Sequence, residues 1–361
     1  KVLRIPGVPI GIYDYRLSRI YPLKMVNLIK SWNLDVIHSH TEFGIGIFAR
    51  ILAKQFNIPL VHTYHTMYED YTHYITHGYF DKSSKKIVEY LTKVYCDTTA
   101  TELIVPTNKT YQLFKEKYKF EKNIHIIPTG IEVDRFFTEN VEKAEITDLK
   151  KHLNISKNDI VIIFVGRLAE EKNVEFLLNA HKKLVSKYKN AKLLIVGDGP
   201  DKEKFENISK KLKINNNVIF TGKVAWSEVP YYYHVSDIFT TASKSETQGL
   251  TVIEAMASSV VPICIDDESF RNTVVDDLNG KIFSTKEECE DIITDLYNDR
   301  KLSKRLSKQA RINSDRFSSK YFAESVLDVY KYAIANKKKR LGLLEKFVDK
   351  VKGSKDEVDN K

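Results

Sequence analysis

Cysteine is scarce in this chain, and long apolar runs are absent. The three cysteines, Cys96, Cys264 and Cys289, lie far apart and form no CxxC pair, which predicts reduced thiols in a cytosolic protein rather than a disulfide framework. No stretch approaches the roughly 20 apolar residues of a membrane-spanning helix, and we expect no signal peptide in the first residues. The HExxH spacing of zinc enzymes is also missing. These absences argue against disulfide scaffolds, membrane-spanning folds and HExxH metalloenzymes.

Basic residues exceed acidic residues, with 57 Lys and Arg against 48 Asp and Glu, and give a net charge of +9. They are concentrated near the two ends: Asp14 is the one acid before residue 35, and KKKR occupies residues 337–340. Because no RNP, zinc-finger or helix-turn-helix signature is present, we expect no nucleic-acid partner. An anionic membrane surface and a simple solvated, lysine-rich surface remain open interpretations.

Short apolar, β-branched runs alternate with amphipathic stretches along most of the chain. The runs lack polar alternation, as expected of parallel strands that are covered on both faces. Strand–helix alternation on this scale predicts an α/β architecture with doubly wound sheets. The predicted strands lie at residues 35–40, 60–65, 102–107 and 124–130, and then at 160–167, 192–199, 217–222, 237–243 and 261–266.

The strand series pauses at residues 131–158, which are polar and charged and contain one short helical pattern. We interpret this stretch as a connection between two domains, although a long crossover within one domain would look similar. The predicted division is therefore a first domain at residues 1–135, a second at 136–317, and a C-terminal helix with a basic tail at 318–361.

The segment SETQGLTVIEAMA at residues 245–257 places two acids on either side of a glycine. It follows a predicted strand, so Gly249 falls at the start of a helix, where free backbone N–H groups favour an anion such as phosphate. Glu246 lies in the loop, and Glu254 lies further along the helix, where a charge needs hydroxyl or amide partners. A nucleotide sugar meets these requirements: its diphosphate suits the helix start, and its ribose and hexose hydroxyls suit the two acids.

The segment FVGRLAEEKN adds two cations to this picture. Gly166 and Arg167 come directly after a predicted strand, and Lys172 follows five residues after Arg167. Two cations at the end of a strand in the same sheet would neutralise a diphosphate leaving group. The alternative is that Arg167 pairs with Glu170 or Glu171 on the surface.

Together, GRLAEEKN, IVGDGP, TGKVAWSEVPYYYHVSDIF and SETQGLTVIEAMA resemble the retaining GT-B glycosyltransferases of family GT4, over most of residues 35–335. The resemblance implies two doubly wound, Rossmann-like domains that face a cleft, and a hexosyltransferase that uses a nucleotide sugar without a metal ion or other cofactor. In that family the first glutamate contacts the transferred sugar and the second contacts the ribose, which implies these roles for Glu246 and Glu254. The implied contacts to the rest of the donor are Gly166, Arg167, Lys172, Gly249, Leu250 and Thr251 for the diphosphate and Val224 for the base.

Histidines end two predicted strands of the first domain, in DVIHSH and LVHTYH. His40 and His65 would thus stand at the carboxyl end of the sheet. A lone histidine is more often structural, but in the GT4 family such histidines contact the donor sugar or the reacting region, which implies catalytic roles for both. Four side chains beyond them fit either the core or an acceptor lining: Met67, Tyr68, Tyr71 and Tyr74.

The segments HTYHTMYEDYTHYI and SETQGLT are similar to those of bacterial enzymes that glucosylate diacylglycerol to form membrane glycolipids. This narrower resemblance implies UDP-glucose as donor, diacylglycerol as acceptor, and a peripheral position at the cytoplasmic face of the plasma membrane. IYDYRLSRIYPLK (12–24) and KKKRLGLLEKFVDKVKG (337–353) would then contact anionic headgroups. An ordinary loop and a C-terminal helix without membrane contact explain the two segments as well.

The chain departs from the family pattern in three places. The family's opening strand and glycine-rich loop have no counterpart before Lys1, Ser259 stands where relatives usually carry glycine, and residues 266–283 lack the usual glycine–proline approach to a late loop. Other functions therefore stay open: a GT4 transferase with a polysaccharide or other soluble acceptor, or a catalytically silent nucleotide-sugar-binding protein. A UDP-sugar 2-epimerase shares the architecture, but SETQGLT argues against it.

Overall fold

The fold is given by a computed structural model, which describes residues 2–9, 16–18, 21–42, 44–66 and 100–356, together with 86, 89, 90, 92, 93 and 96. The chain divides into two compact units. The first consists of Lys1–Pro106, Thr110–Ile127 and Ala323–Lys361, and the second of Thr107–Lys109 and Pro128–Phe322. The domain boundaries near residues 135 and 317 stay predictions, and the stretch 131–158 lies within the second unit.

The first unit is built on a four-stranded parallel sheet. The elements up to residue 126 are β1 (Gly7–Pro9), β2 (Arg16–Ser18), α1 (Leu23–Lys30), β3 (Ile37–Ser39), α2 (Ile45–Gln55), β4 (Leu60–Thr63), β5 (Glu102–Val105), α3 (Asn108–Gln112) and β6 (Asn123–Ile126). The strands of the parallel sheet pair in the order β3, β4, β5, β6, and β1 pairs separately with β2 in antiparallel orientation.

The second unit is built on a six-stranded parallel sheet. Its elements are α4 (Lys143–His152), β7 (Ile160–Val165), α5 (Val174–Lys187), β8 (Ala191–Val196), α6 (Lys202–Lys211), β9 (Val218–Gly222), α7 (Val229–His234), β10 (Ile238–Thr241), α8 (Leu250–Ala257), β11 (Val261–Ile265), α9 (Glu268–Arg271), β12 (Lys281–Phe283), α10 (Lys286–Asn298) and α11 (Arg300–Ser314). The strands pair in the order β12, β11, β10, β7, β8, β9. A last helix, α12 (Ser319–Asp356), begins in this unit and continues in the first. The predicted α/β class with doubly wound parallel sheets is confirmed.

The apolar runs form central strands because both faces of the sheet are covered. In β7, every residue from Ile160 to Phe164 is buried, and the strand pairs with β8 along its whole length. Helix α5 is amphipathic: Leu177, Leu178, Leu184 and Val185 are buried against this core, whereas its lysines are exposed. Burial of a leucine-sized side chain contributes about 1.5–3 kcal/mol relative to exposure. The core thus fixes the strand ends that carry the candidate site.

The described part of α12 packs through Val326, Val329 and Ala333, which are buried. Its backbone is helical across the basic KKKR segment and ends at Asp356. Among the residues that the structure describes, no helix combines the length and the apolar character needed to cross a membrane.

Candidate active site

The second unit has a topological switch point between β7 and β10. From β7 the chain builds outward through β8 and β9, and it then returns to the other side of β7 to build β10, β11 and β12. Ligands of open α/β sheets bind outside the carboxyl ends of the strands at such a point. β7 leads into Gly166 and Arg167, and β10 leads into the loop that contains Glu246. The topology therefore brings both predicted donor-binding segments to one edge of the sheet.

A tight approach of backbone segments shapes this edge. The N–H of Gly166 donates to the carbonyl of Val196 at 3.0 Å. A Cβ atom added at Gly197 would lie 1.9 Å from the carbonyl oxygen of Gly166, so position 197 requires glycine. Arg167 is half-buried at the start of the loop beyond β7.

Gly249 begins helix α8, as the sequence pattern predicts. Its φ of 77° lies in the left-handed region, and an added Cβ would lie 2.5 Å from the ring of Phe270. Glycine is thus required by both conformation and space. Leu250 and Thr251 form the first turn of the helix, whose N–H groups have no intrahelical acceptor and attract anions. The helix start that the sequence predicts at Gly249 is therefore present, and phosphate binding there stays a prediction.

Two predicted residues with opposite charges meet beside this helix. The ammonium of Lys172 lies 2.5 Å from Oε1 of Glu246, and the two side chains are 15% and 24% exposed. The sequence assigns Lys172 to the diphosphate and Glu246 to the transferred sugar. In the structure, the two side chains pair with each other and satisfy each other's charge.

Glu254 lies on α8, five residues into the helix, and is partly exposed. Burial raises the pKa of its carboxyl to about 7, opposed by a hydrogen bond from Tyr233 and by the charge of Arg135. The Tyr233 hydroxyl donates to Oε2 of Glu254 at 2.8 Å. The hydroxyl partner that the sequence requires for this acid is therefore a tyrosine of helix α7, which sequence reasoning did not identify.

A second unforeseen pair lies in and beside the loop that follows β9. The guanidinium of Arg135 stacks on the ring of Trp226, with Cζ 3.2 Å from the ring centroid, and also donates to the Trp226 carbonyl at 3.0 Å. Val224, the predicted contact to the base, lies two residues before Trp226. It is partly buried and packs against the core. The sequence identifies the loop, but it gives no signal that Arg135 reaches it from a segment about 90 residues away.

The first unit brings His40 and His65 together, as their strand-end positions predict. Nδ1 of His40 lies 2.9 Å from Nε2 of His65, and the two rings stack with centroids 5.2 Å apart. Burial, followed by the neighbouring His40 and His62, lowers the pKa of His65 to about 4. Burial and His62 also lower the pKa of His40. Both rings are therefore neutral at pH 7 and can exchange hydrogen bonds with uncharged hydroxyls.

Two further histidines support this pair. His62 is buried, and its Nε2 lies 3.0 Å from Oε1 of the buried Glu42. The ring of His38 lies between Tyr330 of α12 and Thr63, with both hydrogen bonds at 2.7 Å. The sequence does show a second histidine near each predicted one: His38 lies two residues before His40 in HSH, and His62 lies three residues before His65 in HTYH. Their partners are set by the sheet and by α12, which the local sequence does not show.

Several predicted contacts lie outside the described residues. These are the candidate acceptor-lining residues Met67, Tyr68, Tyr71 and Tyr74, and residues 12–15, 19 and 20 of the segment 12–24. The side chains of residues 338–353 are likewise outside the described part of the chain.

The structure explains one departure from the family pattern. Ser259 follows α8 with a φ of 58°, in the left-handed region that glycine adopts without strain. Its carbonyl accepts a hydrogen bond from Ser307 at 2.6 Å, which links the end of α8 to α11. Serine thus stands at a position whose backbone conformation favours glycine.

Comparison with known proteins finds glycosyltransferase families in two parts of the chain. Residues 1–135 match the family described as Glycosyltransferase Family 4, and residues 145–313 match the family described as Glycosyl transferases group 1. The chain is 33% identical over 350 residues to the alpha-monoglucosyldiacylglycerol synthase of Acholeplasma laidlawii, covering 94% of this chain and 86% of the relative. The enzyme of the same name from Streptococcus pneumoniae is 33% identical over 284 residues, which cover 78% of this chain and 64% of that relative.

Solved structures share the fold at lower identity. The Anabaena protein HepE in complex with UDP-glucose has a TM-score of 0.70 at 18% identity and covers 86% of this chain and 81% of its own. Sucrose-phosphate synthase from Thermosynechococcus elongatus has a TM-score of 0.70 at 20% identity, with coverages of 87% and 78%. The chain therefore belongs to glycosyltransferase family 4 and is a hexosyltransferase with two parallel-sheet α/β domains of the GT-B fold.

Proposed function

We propose that this hexosyltransferase moves glucose from UDP-glucose to the free hydroxyl of diacylglycerol, with retention of the anomeric configuration. The observation that carries the proposal is the group of residues at the switch point of the second unit: a helix N-terminus at Gly249, the Glu246–Lys172 pair and the partly buried Glu254. These groups support a nucleotide-sugar donor. The name of the 33% identical Acholeplasma relative supports the acceptor.

The donor would be held at several points. The N–H groups of Leu250 and Thr251 bind the diphosphate at the start of α8, where the helix dipole favours negative charge. Arg167 and Lys172 add two positive charges, and Glu254 accepts hydrogen bonds from the ribose hydroxyls. The backbone at Val224 contacts the base. The HepE structures are complexes with UDP and with UDP-glucose, in agreement with this donor class.

The chemistry requires that the bond between the anomeric carbon and the diphosphate breaks. The electron pair of that bond goes to the phosphate oxygen, whose charge Arg167, Lys172 and the helix N-terminus stabilise. The sugar carries an oxocarbenium-like centre, which the acceptor hydroxyl attacks from the same face. The hydroxyl proton goes to the departing phosphate, so no side chain has to act as base. Glu246 holds the sugar hydroxyls in place for this attack.

His40 and His65 would contact the reacting sugar as neutral groups. Since burial lowers the pKa of both rings, neither supplies a fixed positive charge at pH 7. Their hydrogen bond to each other fixes one ring as donor and the other as acceptor. Such a pair can orient sugar hydroxyls without pulling a proton from them.

We further propose that transfer needs no metal ion, because two side-chain cations and a helix N-terminus provide the positive charge for the leaving group. Addition of EDTA is then expected to leave the initial rate within about twofold, whereas removal of a metal that clamps phosphate oxygens would cost several kcal/mol of transition-state stabilisation. A rate that EDTA abolishes and Mg²⁺ restores would contradict this expectation.

The acceptor and donor are tested with the 361-residue chain in a panel of reactions. UDP-glucose, UDP-galactose and ADP-glucose are each offered with diacylglycerol vesicles or with soluble glucan. Glucolipid formed from UDP-glucose supports the proposal. Product on the glucan alone would favour a transferase with a soluble acceptor, and UDP binding without any product would favour a silent binder.

A further inference from the structure

The hydroxyl of Tyr233 faces two acceptors with a single proton. It lies 2.8 Å from Oε2 of Glu254 and 3.1 Å from the carbonyl oxygen of Thr251. A phenol donates one hydrogen bond at a time, so the proton goes to the carboxylate while Glu254 is charged. It is free to turn to the Thr251 carbonyl when Glu254 is neutral and donates its own proton.

Packing holds the tyrosine ring in this place. Tyr233 is fully buried, and its ring meets Phe136 edge-on at 5.9 Å and Phe239 at 6.2 Å. Burial and the adjacent carboxylate raise the pKa of Tyr233 well above its ordinary value, so the phenol keeps its proton. The side chain is therefore a fixed hydrogen-bond donor that points at the carboxyl of α8.

The two oxygens of Glu254 have different surroundings. Oε2 accepts the Tyr233 proton, and within the described chain no group donates to Oε1. The side chain also retains a partly exposed surface. A carboxylate anchored through one oxygen presents the other to a ligand in a fixed direction, which saves the entropy of ordering it on binding.

We propose that Tyr233 is a positioning residue of the donor site, which holds Glu254 as a carboxylate with Oε1 directed at the ribose hydroxyls. This inference rests on the proposed function, since it takes Glu254 as the ribose contact. Tyr233 touches neither donor nor acceptor in this account. It acts through Glu254. When Glu254 takes up a proton, the Tyr233 hydroxyl is free to donate instead to the Thr251 carbonyl in the first turn of α8.

The charged and titratable groups around Glu254 come from several elements. Arg135, from the short 3-10 helix Val133–Phe136, lowers the pKa of Glu254 by its charge. His234 of α7 is bonded to the carbonyl of Phe136, and burial keeps it neutral by lowering its pKa. Burial, followed by the charge of Glu246, raises the pKa of the Cys264 thiol in β11, so this thiol keeps its proton. The buried residues of α11 carry no charge: Leu306, Ala310 and Ser314.

The test removes the hydroxyl alone. Tyr233→Phe keeps the ring and its packing, and Tyr232→Phe, one residue earlier on α7, serves as the matched control. UDP affinity is measured by calorimetry from pH 6 to 9, together with kcat and KM for the donor. We expect Tyr233→Phe to weaken UDP binding about tenfold near pH 7, the size of a lost hydrogen bond to a charged group. We expect KM for the donor to rise with kcat within about threefold.

The pH profile separates positioning from general loosening of the fold. Affinity for UDP should rise with pH as Glu254 ionises, and the midpoint should move to higher pH in Tyr233→Phe because the hydrogen bond that favours the charged form is gone. A double-mutant cycle with Glu254→Ala adds a second readout: once the side chain that Tyr233 positions is removed, loss of the hydroxyl should change UDP affinity by less than about twofold.

Each outcome decides the inference. The inference is overturned if Tyr233→Phe and Tyr232→Phe have the same UDP affinity and the same pH midpoint. In that case, UDP binding by the parent protein still supports the proposed donor site. Full additivity in the double-mutant cycle also overturns it. The expected weakening without any glucolipid from the parent supports Tyr233 and refutes the acceptor. A parent that binds none of UDP, ADP or GDP refutes both.

Discussion

Lys172 and Glu246 form a contact at 2.5 Å that both residues would have to modify to bind a donor. Coulomb attraction at this separation is weakened by solvent but not abolished, since both side chains are largely buried. A diphosphate carries more negative charge than one carboxylate and is therefore able to compete for the ammonium. The ion pair thus satisfies both charges, and the diphosphate of a donor would compete with Glu246 for Lys172.

Replacement of Glu246 by glutamine separates its two effects. We expect Glu246→Gln to lower transfer by on the order of 100-fold, because the sugar loses its carboxylate partner. UDP affinity should stay equal or become tighter, because Lys172 is released for the diphosphate. Calorimetry with UDP and the initial rate of glucolipid formation measure the two effects.

Arg167→Ala is the control, because it should weaken UDP binding, whereas Glu246→Gln should leave it equal or tighter. It removes a cation from the diphosphate and should weaken UDP binding without a change in the fold. Glu246→Gln with unchanged turnover would remove the sugar-contact role, and Arg167→Ala with parental UDP affinity would remove the diphosphate role.

Glu254 lowers the stability of the folded chain when it is charged. The fold favours the neutral carboxyl and raises its pKa from 4.5 to about 7. The stability that the neutral form provides is fully present below about pH 4.5 and is lost as pH rises through 7. At about 1.4 kcal/mol per pKa unit, the cost at pH 8 is on the order of 3 kcal/mol. The charged form that the proposed ribose contact requires is therefore the form that lowers stability.

Glu254→Gln should accordingly stabilise the protein at alkaline pH, since the amide oxygen still accepts from Tyr233 and never ionises. We expect the variant's advantage in free energy of unfolding to grow by roughly 2–3 kcal/mol between pH 5 and 8. Urea unfolding at both pH values measures it, and Glu203→Gln on the exposed face of α6 is the control. An advantage that does not change with pH would be inconsistent with a perturbed Glu254.

At the scale of elements, the end of α8 contains a strained position. Ser259 adopts a φ of 58° in the left-handed region, where a side chain is unfavourable and glycine is not. Ser259→Gly should therefore raise the free energy of unfolding by roughly 0.5–1 kcal/mol. Thermal unfolding measures the change. The same replacement at Ser258, whose φ is −78°, should destabilise the helix end instead. Stabilisation by Ser258→Gly, or destabilisation by Ser259→Gly, would contradict this account.

The strands could be predicted because each is a continuous apolar run. The runs at 160–167 and 261–266 become β7 and β11, which are buried on both faces, and the boundaries differ by only a few residues. β12 was not predicted: it has three residues, begins with Lys281 and lies at the edge of the sheet, so its sequence carries little β signal. The hairpin of β1 and β2 is equally short and was also missed.

The sequence predicts which helix starts and strand ends form the candidate site, but it does not predict which side chains pair with each other there. Gly249 at a helix start and His40 at a strand end follow from local pattern, because turn geometry and strand direction act over a few residues. The partners of these residues depend on tertiary packing. Tyr233 and Glu254 belong to different helices, and Lys172 and Glu246 lie 74 residues apart. Such contacts leave no periodic signal in one sequence.

At the scale of the whole molecule, the net charge of +9 bears on the membrane contact that the sequence resemblance implies. A cationic protein at an anionic surface is held by charge that salt screens, with a Debye length of about 10 Å at 0.1 M. We expect binding to vesicles with phosphatidylglycerol to fall at least tenfold when salt rises from about 0.05 to 0.5 M. Sedimentation with vesicles measures it.

Two controls define the membrane prediction. Vesicles of phosphatidylcholine alone should bind weakly at every salt concentration. Replacement of KKKR at residues 337–340 by glutamines should reduce binding to the anionic vesicles and leave UDP affinity unchanged. Equal binding to neutral and anionic vesicles would refute an electrostatic membrane contact.

The transfer reaction itself is tested most directly by the structure of its product. The chain is incubated with UDP-[¹³C]glucose and vesicles that contain diacylglycerol and phosphatidylglycerol, and the lipid extract is examined by NMR at the anomeric centre. We predict a glucosyl diacylglycerol with the α configuration of the donor. A β-linked product would contradict retention, and an extract without labelled lipid, from a chain that binds UDP, would contradict diacylglycerol as the acceptor.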